Sequence, residues 1–63
     1  MDFLDIKACS ALVGGTRPVH HSTIYRLIAR RLWPKPVHIG GSSRWLRSEC
    51  EAALARMMEA RNV

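Results

Sequence analysis

Sixty-three residues leave room for one domain, spanning 1–63, and little else. A chain this short buries only about 60% of the surface its unfolded form exposes, so a deep polar catalytic cleft is hard to fit, whereas a binding surface over a few short elements is easy. The formal net charge is +5, and its placement says more than its size: Arg17, Arg26, Arg30, Arg31, Lys35, Arg44 and Arg47 fall in a stretch of 31 residues without a single acid. The flanking segments each carry a slight acidic excess. A one-signed stretch of this kind points to a polyanionic partner rather than to a mixed solvated surface.

Asp2 directly follows Met1, and no apolar run approaches the length of a signal core or a membrane span. Many of the bases share segments with Pro or Gly, which disfavours a basic amphipathic membrane helix. The expectation is therefore a cytoplasmic protein with no membrane partner. Cys9 and Cys50 read as small buried hydrophobes of a reducing compartment. No C-x-x-C or H-x-x-x-H spacing supports a metal, and no cofactor or small-molecule ligand is expected.

In chain order, Asp5 is suited to cap a first helix by accepting from its unpaired N–H groups. Leu4 and Cys9 would form the hydrophobic staple across that cap. Ile6, Cys9, Leu12 and Val13 repeat at helical spacing, and Gly14-Gly15 stops the helix, which runs from about Ile6 to Val13. A turn containing Pro18 follows. Either His20 or Ser22 caps the second helix; a staple between Val19 and Ile24 favours His20. Ile24, Leu27 and Ile28 form its apolar stripe, while Ser22, Arg26 and Ala29 point away, flanked by Tyr25 and Arg30. Small residues at either end of a face with a guanidinium between them suit a helix lying in a major groove.

Pro34 and Pro36 are expected to stop the second helix. Val37 and Ile39 alternate with His38 as a short strand, Gly40-Gly41-Ser42-Ser43 reads as a turn, and Arg44-Trp45-Leu46 returns as the partner strand. Ser48-Glu49-Cys50-Glu51 fits a capping box. Cys50, Ala53, Leu54, Met57 and Met58 then follow at helical spacing, so a third helix is expected from about Glu49 to Asn62. The fold class is mostly α with a small β-hairpin wing, in the order helix, helix, hairpin, helix.

Three blocks resemble a known family: Ser22-Thr23-Ile24-Tyr25-Arg26-Leu27-Ile28, then Trp33-Pro34-Lys35-Pro36-Val37, then Gly40-Gly41 with Ser43-Arg44-Trp45-Leu46. In this order they are similar to the AlpA-type regulators and excisionases of prophages and other mobile elements, and the likeness runs from Leu4 to about Leu54. The resemblance implies a winged helix-turn-helix related to the MerR DNA-binding domain. It implies a recognition helix opening on the Ser22 block and a wing between Lys35 and Trp45. The chain departs from the family in two places. The segment from Gly15 to His20 is longer than the usual G-L-S turn, and Arg31 stands where the family commonly has a helix-ending Gly. Either the helix runs further, or Arg31 adopts a left-handed conformation.

The candidate DNA-binding residues are Arg17, His21, Ser22, Tyr25, Arg26, Arg30, Lys35, His38, Ser43 and Arg44. Arg26 is the expected base reader, since a guanidinium pairs bidentately with guanine O6 and N7. Ser22 and Tyr25 would touch phosphate or base edges, or Tyr25 would instead pack its ring on the wing. Arg17, Arg30 and Lys35 would neutralise phosphates, which positions a protein without specifying sequence. Arg44 and the wing tip at Ser42-Ser43 would border a minor groove. His38 touches the backbone or has no role, and His20 and His21 are turn residues first and ligands second. Trp33 and Trp45 read as core, as do Met57 and Met58.

The resulting expectation is a non-enzymatic, sequence-specific double-stranded DNA-binding protein of a bacterial mobile element. It would act as an excisionase, or recombination directionality factor, bending attachment-site DNA for a tyrosine-type integrase. The alternatives are an AlpA-like transcription regulator of an integrase promoter and a protein-interaction module inhibiting a larger regulator. Few base contacts fit on so small a domain, so head-to-tail self-association on DNA is also expected. No Ser/His/acid set, paired carboxylates or phosphate-cradling loop suggests catalysis.

Overall fold

The computed structural model describes residues 2–61, with the side chain of Arg61 left aside. A short strand β1 (Phe3–Leu4) leads into helix α1 (Ile6–Gly14), then helix α2 (His21–Ala29), strands β2 (Val37–Ile39) and β3 (Ser42–Leu46), and helix α3 (Arg47–Arg61). The three strands form an antiparallel sheet in the order β1-β3-β2. The architecture is thus a helix-rich small domain with a hairpin. Among the described residues no helix is long and apolar enough to cross a membrane.

Local chemistry explains both ends of α1. The Asp5 carboxylate accepts from the Ala8 N–H at 2.8 Å, and the Gly15 N–H donates to the Ala11 carbonyl at 2.9 Å with Gly15 at φ 71°. Gly14 has a separate task. A Cβ there would lie 2.8 Å from the Val19 backbone nitrogen, because the returning chain donates from Val19 to the Ser10 carbonyl. That close approach, rather than a turn, is why residue 14 lacks a side chain.

The turn into α2 settles its cap. His20 is extended, and its ring Nδ1 accepts from the Ser22 N–H at 3.2 Å. The other end differs from expectation: α2 stops at Ala29, well before Pro34, so the prolines do not end it. Arg31 takes φ 62°, its N–H donates to the Ile28 carbonyl, and the Leu32 N–H donates to the Leu27 carbonyl at 2.8 Å. This pair of bonds, six-to-one and five-to-two, is a Schellman stop. Arg31 therefore supplies the left-handed residue that glycine usually provides.

The hairpin turn is shorter than the sequence suggested. Gly40 and Gly41 both have positive φ, 58° and 83°, and Ile39 pairs directly with Ser42. Two consecutive left-handed residues make the tight turn whose twist suits a hairpin, so Ser42 and Ser43 belong to β3. β1 was not anticipated. Its Leu4 pairs with Trp45 and Phe3 with Leu46, and the ladder continues as the Arg47 N–H donates to the Asp2 carbonyl.

That continuation corrects the start of α3. The helix begins at Arg47, straight from β3, so Ser48 lies in its first turn and does not serve as the capping-box residue. The Asp2 carboxylate meets the Arg47 guanidinium at the same junction. Asn62, the expected end, lies outside the described residues. Along α3, Cys50 and Ala53 are buried, Leu54 and Met57 are partly buried, and Met58, expected in the core, is 57% exposed. The helix is about 22 Å long, and only its first half is buried in the core.

The core joins all three layers: Leu4, Cys9, Ile24, Trp33, Trp45, Cys50 and Ala53. Trp45 is its largest fully buried side chain, and its indole N–H donates to the Pro34 carbonyl at 2.9 Å. Both tryptophans are core, as their composition suggested. The Trp33 indole nitrogen is buried without a hydrogen-bond partner among the described residues, with the weakly accepting Cys9 sulfur beside it.

Candidate nucleic-acid interface

Helix α2 buries Ile24 completely and Leu27 and Ile28 in part, which turns Tyr25, Arg26, Ala29 and Arg30 outward. Arg26 and Arg30 share a shallow concavity of about 430 Å³ with Thr23, Leu27 and Ala29. Thr23 was not among the sequence candidates. Its signal was present, because residues 23, 26 and 30 recur at intervals of three and four on one helical face.

The N-terminal end of α2 is built from its own cap. His20 Nδ1 accepts from the Ser22 backbone N–H at 3.2 Å, and the Ser22 hydroxyl lies 2.9 Å from the same nitrogen. Ser22 is half-buried. His21 is exposed, with its ring centroid 4.2 Å from that of His20.

Tyr25 joins α2 to the sheet. Its ring meets Trp45 edge-on at a centroid distance of 6.4 Å and remains 47% exposed. The packing role weighed for Tyr25 is therefore present, and enough of the ring is free for a further contact. This contact sets the outward face of α2 beside the hairpin.

Pleating divides the hairpin candidates between two faces. Register pairs His38 with Ser43 and Val37 with Arg44. His38 and Ser43 thus share the face of Trp45, whereas Arg44 shares the opposite face with Val37 and Ile39. The Arg44 guanidinium donates to the Ser43 carbonyl at 3.0 Å, which holds it along the strand. Val37 and Ile39 are about half exposed, at 49% and 50%. Arg17 lies exposed in the turn between the helices, and Lys35 lies exposed just before β2.

Electrostatically, the acid-free stretch keeps most of its charge available. Arg47 pairs with Asp2, but Arg17, Arg26, Arg30, Lys35 and Arg44 form no ion pair among the described residues. The two cysteines lie buried in the core, away from this exposed charge. Burial is the largest cause of a raised pKa at both, and it pushes Cys50 up to about 12 with help from the neighbouring Cys9. The neighbouring Cys50 thiol and Trp33 indole partly offset the rise at Cys9. Both are protonated thiols at neutral pH, which makes them poor nucleophiles and poor ligands. Among the described residues no three His, Cys, Asp or Glu side chains gather to hold a metal.

No protein-family model, curated protein or solved structure matches this chain.

Proposed function

We propose that this chain is a winged helix-turn-helix, sequence-specific double-stranded DNA-binding protein of a mobile genetic element. The observation that carries the reading is the outward face of α2. Arg26 and Arg30 stand there without acidic partners, next to a two-stranded hairpin that Tyr25 ties to the same helix. A helix of this kind fits a major groove, with Arg26 reading guanine. Ser22, whose hydroxyl lies 2.9 Å from His20 Nδ1 at the opening of the helix, contacts phosphate or a base edge. The hairpin enters the neighbouring minor groove edge-first, with Arg44 against one wall and His38 and Ser43 against the other. This disposition uses both faces of the ribbon. Arg17, Arg30 and Lys35 neutralise phosphates.

The biological role that best suits a small binder of this kind is excisionase, or recombination directionality factor. It bends attachment-site DNA so that a tyrosine-type integrase runs toward excision, with copies associating head to tail on adjacent sites. Salt-dependent titration of the protein tests this, using the attachment-site and integrase-promoter DNA of its own element against random duplex. With roughly five phosphates neutralised, log K falls with log salt at a slope of about −4 to −5. Arg26→Ala costs about 1–3 kcal/mol on the specific site and relaxes sequence preference, whereas Lys35→Ala weakens all sequences alike. Equal losses on specific and random DNA for Arg26→Ala would sink its role. Laddered binding at the attachment region supports the excisionase role. A single complex confined to the promoter would replace it with a transcription regulator.

A further inference from the structure

The Schellman stop of α2 contains an anomaly. Arg31 holds φ 62°, a conformation that crowds the Cβ of any L-residue and that glycine adopts freely. Local stability favours glycine there, yet the position carries a guanidinium. Strain retained at a non-glycine residue marks a place where the side chain itself has a use.

What lies beside Arg31 suggests that use. A groove of about 340 Å³ runs between the end of α2 and the outer half of α3, lined by Arg31, Leu32, Ala53, Arg56, Met57 and Ala60. The four α3 residues follow one helical stripe at intervals of three and four. Leu32, the residue after the left-handed one, is 41% exposed. The rest of the lining is aliphatic and the alanines leave it open, while each side contributes one arginine, Arg31 from the α2 stop and Arg56 from α3. The α3 carboxylates Glu49, Glu51 and Glu59 do not line it. The groove shares no residue with the Thr23–Arg30 concavity of α2, so its use stands or falls apart from DNA binding. A phosphodiester would leave the aliphatic floor unused. A carboxylate on each arginine fork with an aliphatic side chain between them satisfies both chemistries.

We propose that this groove docks a segment of a partner protein in which leucine-type side chains are flanked by carboxylates, and that Arg31 is retained in its strained conformation to bind it. The test titrates the isotope-labelled whole chain, followed by amide resonances, with a short synthetic peptide of leucines set between glutamates and aspartates. Shifts are expected at Arg31, Leu32, Ala53 and Met57. Binding falls about tenfold or more when serine replaces the peptide's leucines, and likewise in Leu32→Ser and Arg56→Glu, a loss of about 1.4 kcal/mol each. Both sites are exposed, so these variants fold. Arg31→Gly melts higher than the parent yet binds the peptide several-fold more weakly.

Four results would overturn the proposal. In one, the serine peptide binds as well as the leucine peptide, which reduces the effect to bare charge. In another, the groove resonances respond as strongly to duplex DNA. In a third, they move with protein concentration alone, which assigns the groove to a second copy. In the last, Arg31→Gly keeps full peptide affinity.

Discussion

Helices α1 and α2 are each nine residues long, each opens on a side-chain cap, and each closes near a residue of positive φ. They are finished with different chemistry. α1 uses Asp5 and Gly15, the residue types that serve those positions at least cost. α2 uses His20 and Arg31, which serve the same positions less well. In α2 two bases also lie on the free face, where α1 has one, Lys7, near its start. The comparison teaches that α1 is finished for stability, and that α2 gives up some local stability to carry cationic and hydrogen-bonding side chains at its ends and on its exposed face. α1 also meets α3 through the neighbouring Cys9 and Cys50 thiols.

Among the substitutions, the largest effect should come from the end of α1. Gly14→Ala places a Cβ against the Val19 backbone nitrogen at 2.8 Å, and backbone yields less readily than a side-chain tip. A loss of about 1–3 kcal/mol is expected by urea unfolding. Arg30→Ala, at the exposed end of α2, should change stability by no more than about 0.5 kcal/mol. Equal effects at the two positions would break the comparison.

Alkali should act through the buried thiol that α3 places beside α1. The unfolded Cys50 thiol ionises near its ordinary 9.0, and the folded one near 12. The folded state therefore holds the proton longer, and its stability is complete below pH 9 and declines as pH rises toward 12. The slope is about 1.4 kcal/mol per pH unit within that window. Urea melts across the range measure it, and Cys50→Ala should flatten it. An unchanged slope in that variant would remove the thiol from the account.

Arg31→Gly sharpens the contrast in the opposite direction. Relief of the left-handed strain, about 1–2 kcal/mol, exceeds the added chain entropy of glycine, about 0.5–1 kcal/mol. A net gain of about 0.5–1 kcal/mol should appear as a higher melting temperature, and a lower one would show that residue 31 is not strained. A small gain belongs to His20→Ser, which installs a preferred cap and should stabilise by about 0.5 kcal/mol. A loss instead would mean that the histidine ring contributes more than its cap.

Features resting on residues within a few positions of each other were legible in the sequence. The Asp5 cap, the His20 cap chosen by the Val19–Ile24 staple, the alternation of β2 and the apolar stripe of α2 are of this kind. Each depends on backbone groups that the same short segment supplies. The outward placement of Arg26 and Arg30 follows from that stripe, so the centre of the candidate site could also be read in advance.

Features that needed a partner from far along the chain could not. β1 has only two residues and no period of its own, and it exists because β3 offers it an unpaired edge. Extending that ladder to Asp2 and Arg47 starts α3 early and overrides the Ser48 box, since a helix entered directly from a paired strand has its first N–H already bonded. Tertiary contact likewise decided that Gly14 admits the returning chain, that Tyr25 leans on Trp45, and that Arg31 and Arg56 line one aliphatic groove. Local sequence determines which hydrogen bonds a segment can satisfy alone; only the packed chain decides which of its remaining surfaces meet.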